Sequence, residues 1–291
     1  MLRAAHRGAA TIADAAGVVR FLRHAACPDG GFRGRADDGD LYYTVFALQS
    51  LAALAAAPDD AALARFLARF DGGDSLDFIH AACLARCWVL ASPAGAPPAV
   101  RRSLAAHIET FRSADGGYHA SPGSPRGTAY GCFLALGAAE DLAADLPDAS
   151  GLARCLDSLR TADGGYANEP AAAVASTPAT AAAVTVLAVL GWPVPPETIA
   201  WLRARARPSG GFLAAPQAPI PDLLSTATAL HALAVAGAPP LDSSAQAACG
   251  EFVRGLQASD GGFRGHWADD ACDIEYTFYG LLALGHLGTR P

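Results

Sequence analysis

The sequence predicts an all-α fold of six helix pairs closed into an α/α toroid, and three observations carry that expectation. A Gly-Gly pair recurs six times at near-even spacing. Each pair divides a half-charged segment from a wholly apolar one, and the first and last repeats are the most alike. Two adjacent glycines reverse a chain readily because they adopt positive φ angles that other residues resist.

The pairs are Gly30-Gly31, Gly72-Gly73, Gly116-Gly117, Gly164-Gly165, Gly210-Gly211 and Gly261-Gly262, in steps of 42, 44, 48, 46 and 51 residues. An aromatic follows five of them (Phe32, Tyr118, Tyr166, Phe212 and Phe263), and Asp74 takes that place in the second repeat. Asp precedes most pairs, at Asp29, Asp71, Asp115, Asp163 and Asp260. Ahead of each pair lies an amphipathic segment such as Val18-Val19-Arg20-Phe21-Leu22-Arg23. After it, a polar connection leads into an apolar segment such as Thr44-Val45-Phe46-Ala47-Leu48 or Thr277-Phe278-Tyr279-Gly280-Leu281-Leu282. Ala and Leu dominate these segments, which favours helix over strand. A helix with one charged face suits an outer ring; one apolar on all sides suits an inner ring around a central cavity. The repeats run about 12–57, 58–95, 97–140, 149–192, 196–237 and 242–288, within one domain over 1–291. Gly30-Gly31-Phe32-Arg33-Gly34-Arg35 in repeat one parallels Gly261-Gly262-Phe263-Arg264-Gly265-His266 in repeat six. Closure makes these repeats neighbours, whereas an open array needs polar capping repeats.

Of the 291 residues 52% are hydrophobic and 17% charged, which excludes a disordered chain. The formal charge of −7 and the lack of a Lys/Arg stripe argue against nucleic acid. Seven cysteines, an odd number without close pairing, read as reduced thiols. With no continuous apolar run in Met1-Leu2-Arg3-Ala4-Ala5-His6-Arg7, they predict a cytoplasmic protein. Between Glu169 and Glu197 no residue is charged, but Pro170, Pro178, Pro193 and an Ala-rich composition predict a buried core helix, not a membrane span.

A Gly-Gly-aromatic turn about every 40 to 50 residues resembles the prenyltransferase and squalene-oxidase repeat. That repeat marks the superfamily of protein prenyltransferase β-subunits and squalene–hopene cyclases, and the resemblance extends from about Ala13 to Leu287. It implies an α6/α6 barrel whose apolar funnel holds an isoprenoid. It also implies an enzyme that transfers or cyclises a prenyl diphosphate or related polyprenyl substrate. The family's transferases pair with a helical α-subunit, so the resemblance extends to a helical partner subunit.

The same resemblance places the transferases' zinc ligands, an Asp-x-Cys and a later His, on Asp222-Leu223-Leu224 and Glu275-Tyr276-Thr277. Leu224 and Tyr276 stand where the Cys and His belong, so the expected chemistry is zinc-independent. The basic grip on diphosphate is replaced by Ala214-Ala215-Pro216-Gln217-Ala218-Pro219-Ile220-Pro221. The cyclases protonate an alkene with an Asp-x-Asp-Asp motif, which is absent. Asp37-Asp38-Gly39-Asp40 and Asp269-Asp270-Ala271-Cys272-Asp273 come nearest, and the second fits the DDxxD pattern that binds Mg²⁺-diphosphate in other terpene synthases.

Repeats one and six therefore gather Arg33, Arg35, Asp37, Asp38 and Asp40 with Arg264, His266, Asp269, Asp270, Asp273 and Glu275 at one mouth. Read as a site, Asp273, Asp40 and Asp270 are the acid or Mg²⁺ ligands, with Asp269 beside them. Arg33, Arg264 and Arg126 bind the anion, and Tyr43, Tyr276, Tyr279 and Trp88 form the wall. Read as scaffolding, Asp40 and Asp273 are helix N-caps, Arg33 and Arg264 are salt-bridge partners, and Arg126 pairs with a carboxylate such as Asp115. His80, Cys83 and Cys87, at i, i+3 and i+7, have zinc-type side chains on one helix face, although such cysteines also serve as small apolar residues. The alternative function is a non-catalytic binding or scaffold subunit whose missing zinc ligands record lost chemistry.

Overall fold

The computed structural model describes residues 1–34, 36–145, 148–172 and 174–288. Six outer helices carry the charge: α2 (Ala15–His24), α4 (Asp60–Ala68), α6 (Pro98–Glu109), α8 (Ala149–Ser158), α10 (Pro196–Arg203) and α12 (Ser243–Gly255). Each leads through its Gly-Gly turn into an inner helix: α3 (Leu41–Ala53), α5 (Phe78–Ala91), α7 (Ala129–Asp141), α9 (Thr177–Val189), α11 (Leu223–Val235) and α13 (Ile274–Leu287). Every inner helix packs on the next, and α13 packs on α3, so the succession of neighbours returns to its start. The uncharged stretch before Glu197 forms α9, most of whose residues are buried. Among the described residues no helix is long and apolar enough to cross a membrane.

The recurring turn has a physical job beyond reversing the chain. In five of the six turns the first glycine adopts positive φ, +96° at Gly30 and +97° at Gly261, and lies against the backbone of the following outer helix; in the second the positive φ falls on Gly73. A Cβ on Gly30 would stand 2.1 Å from the Ala62 carbonyl oxygen of α4, and one on Gly210 2.2 Å from that of Ala248 in α12. Gly261 makes the same approach to Gly17 of α2, which joins repeat six to repeat one in the outer layer as well. The preceding Asp stiffens the turn: Asp29, Asp115 and Asp260 accept from the backbone N–H of the second glycine at 3.0, 3.1 and 3.0 Å.

The aromatic after the pair is buried in all five repeats that have one. In four of them its backbone N–H donates to a threonine one turn inside the inner helix. These bonds run from Phe32 to Thr44, Tyr166 to Thr180, Phe212 to Thr226 and Phe263 to Thr277, at 2.9 to 3.1 Å. Thr44, Thr226 and Thr277 each also donate to the carbonyl of the residue capping the helix, so one hydroxyl ties turn, cap and helix together.

Two features lay outside the sequence expectations. Short antiparallel ribbons pair Phe212–Leu213 (β1) with Pro221–Asp222 (β2), and Phe263–Arg264 (β3) with Cys272–Asp273 (β4). Two-residue strands leave no alternation to read. An additional helix, α1 (Leu2–Ala9), crosses the far ends of α13 and α3. There Gly8 and Gly285 let two backbones touch: a Cβ on Gly285 would stand 1.7 Å from the Ala4 carbonyl oxygen. His6 bonds the Ala53 carbonyl at 2.9 Å and Arg7 donates to that of Gly285 at 3.3 Å, serving carbonyls that helix ends leave unpaired.

Candidate active site

The inner helices enclose a cavity of about 870 Å³. One side is aromatic, from Tyr42 and Tyr43 of α3, Tyr130 and Phe133 of α7, and Tyr279 of α13. The other is smooth and small, formed by Ala179, Ala181, Ala182 and Thr185 of α9. Met1 and His231 also line it, and Asp38, Asp40, His80 and Glu275 bring charge to it.

Two polar arrangements stand at the N-terminal ends of the inner helices. In the first, His80 bridges two capping carboxylates. Its Nε2 lies 3.1 Å from Asp40 Oδ2 and its Nδ1 2.8 Å from Asp77 Oδ2. Asp40 caps α3 by accepting from the Tyr43 N–H at 3.1 Å, and Asp77 caps α5 by accepting from that of His80 at 2.9 Å. The hydrogen bond to Asp40 is the main reason the His80 pKa rises to about 9, and the same bond holds the Asp40 carboxyl below its ordinary range. At neutral pH His80 is an imidazolium between two carboxylates.

In the second, Tyr42 donates to Glu275 Oε1 at 2.8 Å across the seam between α3 and α13. Burial raises the Glu275 pKa, which keeps a larger share of this carboxyl neutral. Phe46 of α3 completes the seam, with ring centroids 5.9 Å from Phe278 and 5.6 Å from Tyr279.

The pH dependence of stability follows from the first arrangement. The His80 pKa is above its ordinary value of 6.5 when folded, so the stabilisation is fully present below about pH 6.5. It is lost as the pH rises through about 9. The melting-temperature difference between the native protein and H80Q should therefore shrink steadily from pH 6.5 to 9. Thiol ionisation over that range acts on both proteins and cancels; a constant difference would mean that His80 is not charged in the fold.

The structure sorts the remaining sequence candidates. Asp40, Tyr43 and Tyr279 reach the cavity. Asp273 caps α13, accepting from the Glu275 N–H at 2.7 Å, and does not line the cavity. Asp269 accepts from the Ala271 N–H, and Asp270 is exposed. Among the described residues no three His, Cys, Asp or Glu side chains gather to hold a metal, so neither Asp269, Asp270 and Asp273 nor His80, Cys83 and Cys87 form such a group. Cys83 and Cys87 are buried in the core instead, and burial pushes the Cys83 thiol up to about 12.

The expected anion ligands also fall elsewhere. Arg33 donates to the His24 carbonyl at 3.2 Å, Arg126 is exposed, and Arg264 has a buried Nε without a partner. Among the described residues none of the three makes a salt bridge, so the ion pairs with carboxylates expected of Arg33 and Arg264 are absent. Asp115 serves the backbone N–H groups of Gly117 and Gly127 and the Ser113 hydroxyl, not Arg126. Arg35 lies outside the described residues. Trp88 and Tyr276 do not line the cavity: the Trp88 Nε1 is buried without a partner, and Tyr276 packs over Gly265.

The positions matched to zinc ligands do not fit a zinc ion. Asp222 caps α11, taking the Ser225 N–H and hydroxyl at 2.7 Å each, and Leu224 offers no donor atom. Sequence reasoning had placed Glu275 in the mouth cluster without giving it a role. Tyr42, Tyr130, Phe133 and His231 line the cavity from inner helices whose faces the sequence does not distinguish. The usable signal was that Glu275 is an acidic residue just inside an otherwise apolar helix.

Comparisons with known proteins agree with this architecture. Residues 2–123, 83–198 and 193–289 match the prenyltransferase alpha-alpha toroid domain, which accounts for nearly the whole chain. No curated protein matches the sequence at a significant level. Among solved structures, the fold is similar to Candida albicans protein geranylgeranyltransferase-I complexed with GGPP, at 13% identity and TM-score 0.69, covering 94% of this chain and 90% of that one. It is also similar to a variant of the type II terpene cyclase MstE from Scytonema in complex with its product merosterolic acid A. There the identity is 16% and the TM-score 0.63, covering 98% and 97% of the two chains. An α-1,6-mannanase of Salegentibacter sp. HEL1_6 shares the fold at 13% identity and TM-score 0.61, covering 93% and 97%. Likeness at this level extends to the fold; the chemistry has to be argued from the cavity.

Proposed function

This chain belongs to the prenyltransferase alpha-alpha toroid domain family, and we propose that it folds a neutral polyprenyl chain into its cavity and cyclises it by protonation, without zinc. The observation that carries the reading is Glu275, a carboxyl with a burial-raised pKa inside an aromatic-walled cavity. A cation forming along the chain would meet the faces of Tyr42, Tyr43, Tyr130, Phe133 and Tyr279, whose ring electrons stabilise positive charge. Two proteins of similar fold are known in complex with merosterolic acid A, the product of a type II terpene cyclase, and with GGPP, which supports an isoprenoid reading.

Charge argues against a diphosphate inside the cavity. Asp38, Asp40 and Glu275 face it with His80, and none of Arg33, Arg126 and Arg264 does. A multiply charged anion would therefore meet carboxylates, balanced by the His80 imidazolium and a Met1 amino group whose burial disfavours its charged form. In the proposed first step the Glu275 O–H bond breaks and its proton forms a C–H bond at a terminal alkene, whose π pair supplies the electrons. The tertiary cation left behind is attacked by the next alkene, forming a C–C bond. Asp40, held ionised by His80, is ill suited to give that proton; its place is to balance charge at the mouth.

The test is turnover of squalene, geranylgeraniol and geranylgeranyl diphosphate, each with and without EDTA, read by gas chromatography and mass spectrometry. The expected result is cyclic isomers of equal mass from a neutral polyene, unaffected by EDTA. EDTA-sensitive loss of diphosphate would replace this reading with a metal-dependent one. No turnover and no binding of any of the three would favour the non-catalytic subunit.

A further inference from the structure

One repeat departs from the others at two positions at once, and the two positions touch. In repeats one, four, five and six the residue four past the inner-helix N-cap is a threonine, at Thr44, Thr180, Thr226 and Thr277. In the same four repeats an aromatic of the next outer helix covers the second glycine of the turn. Phe66, Trp201, Phe252 and Phe21 lie 2.6 to 2.8 Å from where a Cβ on Gly31, Gly165, Gly211 and Gly262 would stand. Repeat three has cysteine in both places. Cys132 is four past the Thr128 cap of α7, and Cys155 of α8 lies against Gly117. Both are fully buried, and the Cys132 Sγ is 3.8 Å from the Cys155 Sγ.

We propose that Cys132 and Cys155 are a disulfide site, a staple between the inner and outer rings that closes when the chain folds under oxidising conditions. An S–S bond is about 2.05 Å long, so the two sulfurs need to approach by about 1.8 Å. Two glycines leave room for the Cys155 sulfur, since a Cβ on Gly117 or Gly127 would stand 2.3 or 2.8 Å from it. Filling space needs only small apolar side chains. It does not account for a threonine tie and an aromatic cover both giving way to sulfurs in contact. The staple is independent of the reaction in the cavity, but it fixes part of the cavity wall. Cys132 lies between Tyr130 and Phe133 in the α7 sequence, and both of those line the cavity.

Oxidised glutathione is a sufficient oxidant. A Cys155 thiolate attacks one of its sulfurs, that S–S bond breaks, and one glutathione leaves as a thiolate that takes up a proton. The Cys132 thiolate then attacks the Cys155 Sγ, the mixed disulfide breaks, and the second glutathione leaves in the same way. The two protein thiols lose two electrons and two protons, and oxidised glutathione becomes two glutathione thiols. In the folded protein the hydrogen bond with Cys132 and burial raise the Cys155 pKa, which keeps it a thiol. Exchange therefore proceeds before α8 has docked, and the same packing then seals the bond from reductants.

The experiment refolds the full chain from urea in oxidised or in reduced glutathione, alkylates the free thiols in denaturant and maps the peptides by mass spectrometry. Oxidised glutathione should give peptides joined through Cys132 and Cys155, with the other five of the seven cysteines alkylated. This form should melt about 5 °C or more above the reduced one, because a staple between residues 23 apart restricts the unfolded chain. C155A and C132T, the second restoring the threonine of four other repeats, should each melt at one temperature whichever buffer they fold in. Seven alkylated cysteines after oxidative refolding, or a bond between any other pair, would overturn the proposal. A joined form that melts no higher than the reduced one, or a redox-dependent shift that persists in both variants, would overturn it as well.

Discussion

Glu275→Gln is expected to abolish cyclisation and to leave the protein at least as stable as before. Gln keeps the shape of the side chain and an oxygen for the Tyr42 hydroxyl, now 2.8 Å from Glu275, but it has no acidic proton. Of the two carboxyls the fold distinguishes, burial raises the Glu275 pKa while the bond to His80 holds Asp40 ionised, so Asp40 is a poor substitute donor. Loss of a general acid typically costs 10²–10⁴-fold, and here a fall of about 10³-fold or more is expected. The stability effect has the opposite sign. A carboxyl whose pKa is raised on folding destabilises the fold as pH rises from its unfolded value through its folded one. Removing the charge removes that penalty, so E275Q should melt higher at neutral pH. Full turnover in E275Q would eliminate the proposed acid. Tyr42→Phe offers a graded check, because the lost hydrogen bond favours the carboxylate and its absence should carry activity to higher pH.

How much of this was legible depends on the kind of signal each part leaves. The turns were readable because backbone geometry demands glycine there, and no other residue answers positive φ together with contact against the next helix. The inner and outer rings were readable because water imposes one charged face on each outer helix and none on each inner one. That same uniformity hid the cavity. On a helix apolar all round, Tyr276 and Tyr279 look alike in sequence, yet one packs over Gly265 and the other lines the cavity. Asp40 and Asp273 are likewise equivalent as caps and as parts of acidic runs. What separates them is His80, forty residues along the chain from Asp40, and only the fold brings those two within 3.1 Å. Helix α1 left no trace because its eight residues fall outside the repeat. Its sequence mark is small, Gly8 and Gly285 at the point where two backbones cross.

Gly261→Ala is expected to be far more destabilising than Gly237→Ala, and the comparison tests whether the ring is closed. Both glycines have positive φ, +97° and +65°, so alanine at either incurs backbone strain of about 1–2 kcal/mol. A Cβ on Gly237 meets nothing within 4 Å, and that strain should be the whole effect. A Cβ on Gly261 would stand 2.3 Å from the carbonyl carbon and oxygen of Gly17 in α2. These are backbone atoms of a helix start held by the Asp14 cap, which accepts from the Gly17 N–H at 2.7 Å, so they cannot swing aside. The sixth turn would have to lift from α2, and Phe21 would leave its place against Gly262. A loss above about 3 kcal/mol in urea denaturation is therefore expected, in the range reserved for clashes in packed interiors. Gly30→Ala and Gly210→Ala should behave like Gly261→Ala, since each meets the next outer helix in the same way. In an open array the last turn would have no following helix. Gly261→Ala would then cost no more than Gly237→Ala, while Gly30→Ala and Gly210→Ala kept their full effect. A large loss at all three positions is the outcome that only a closed ring produces.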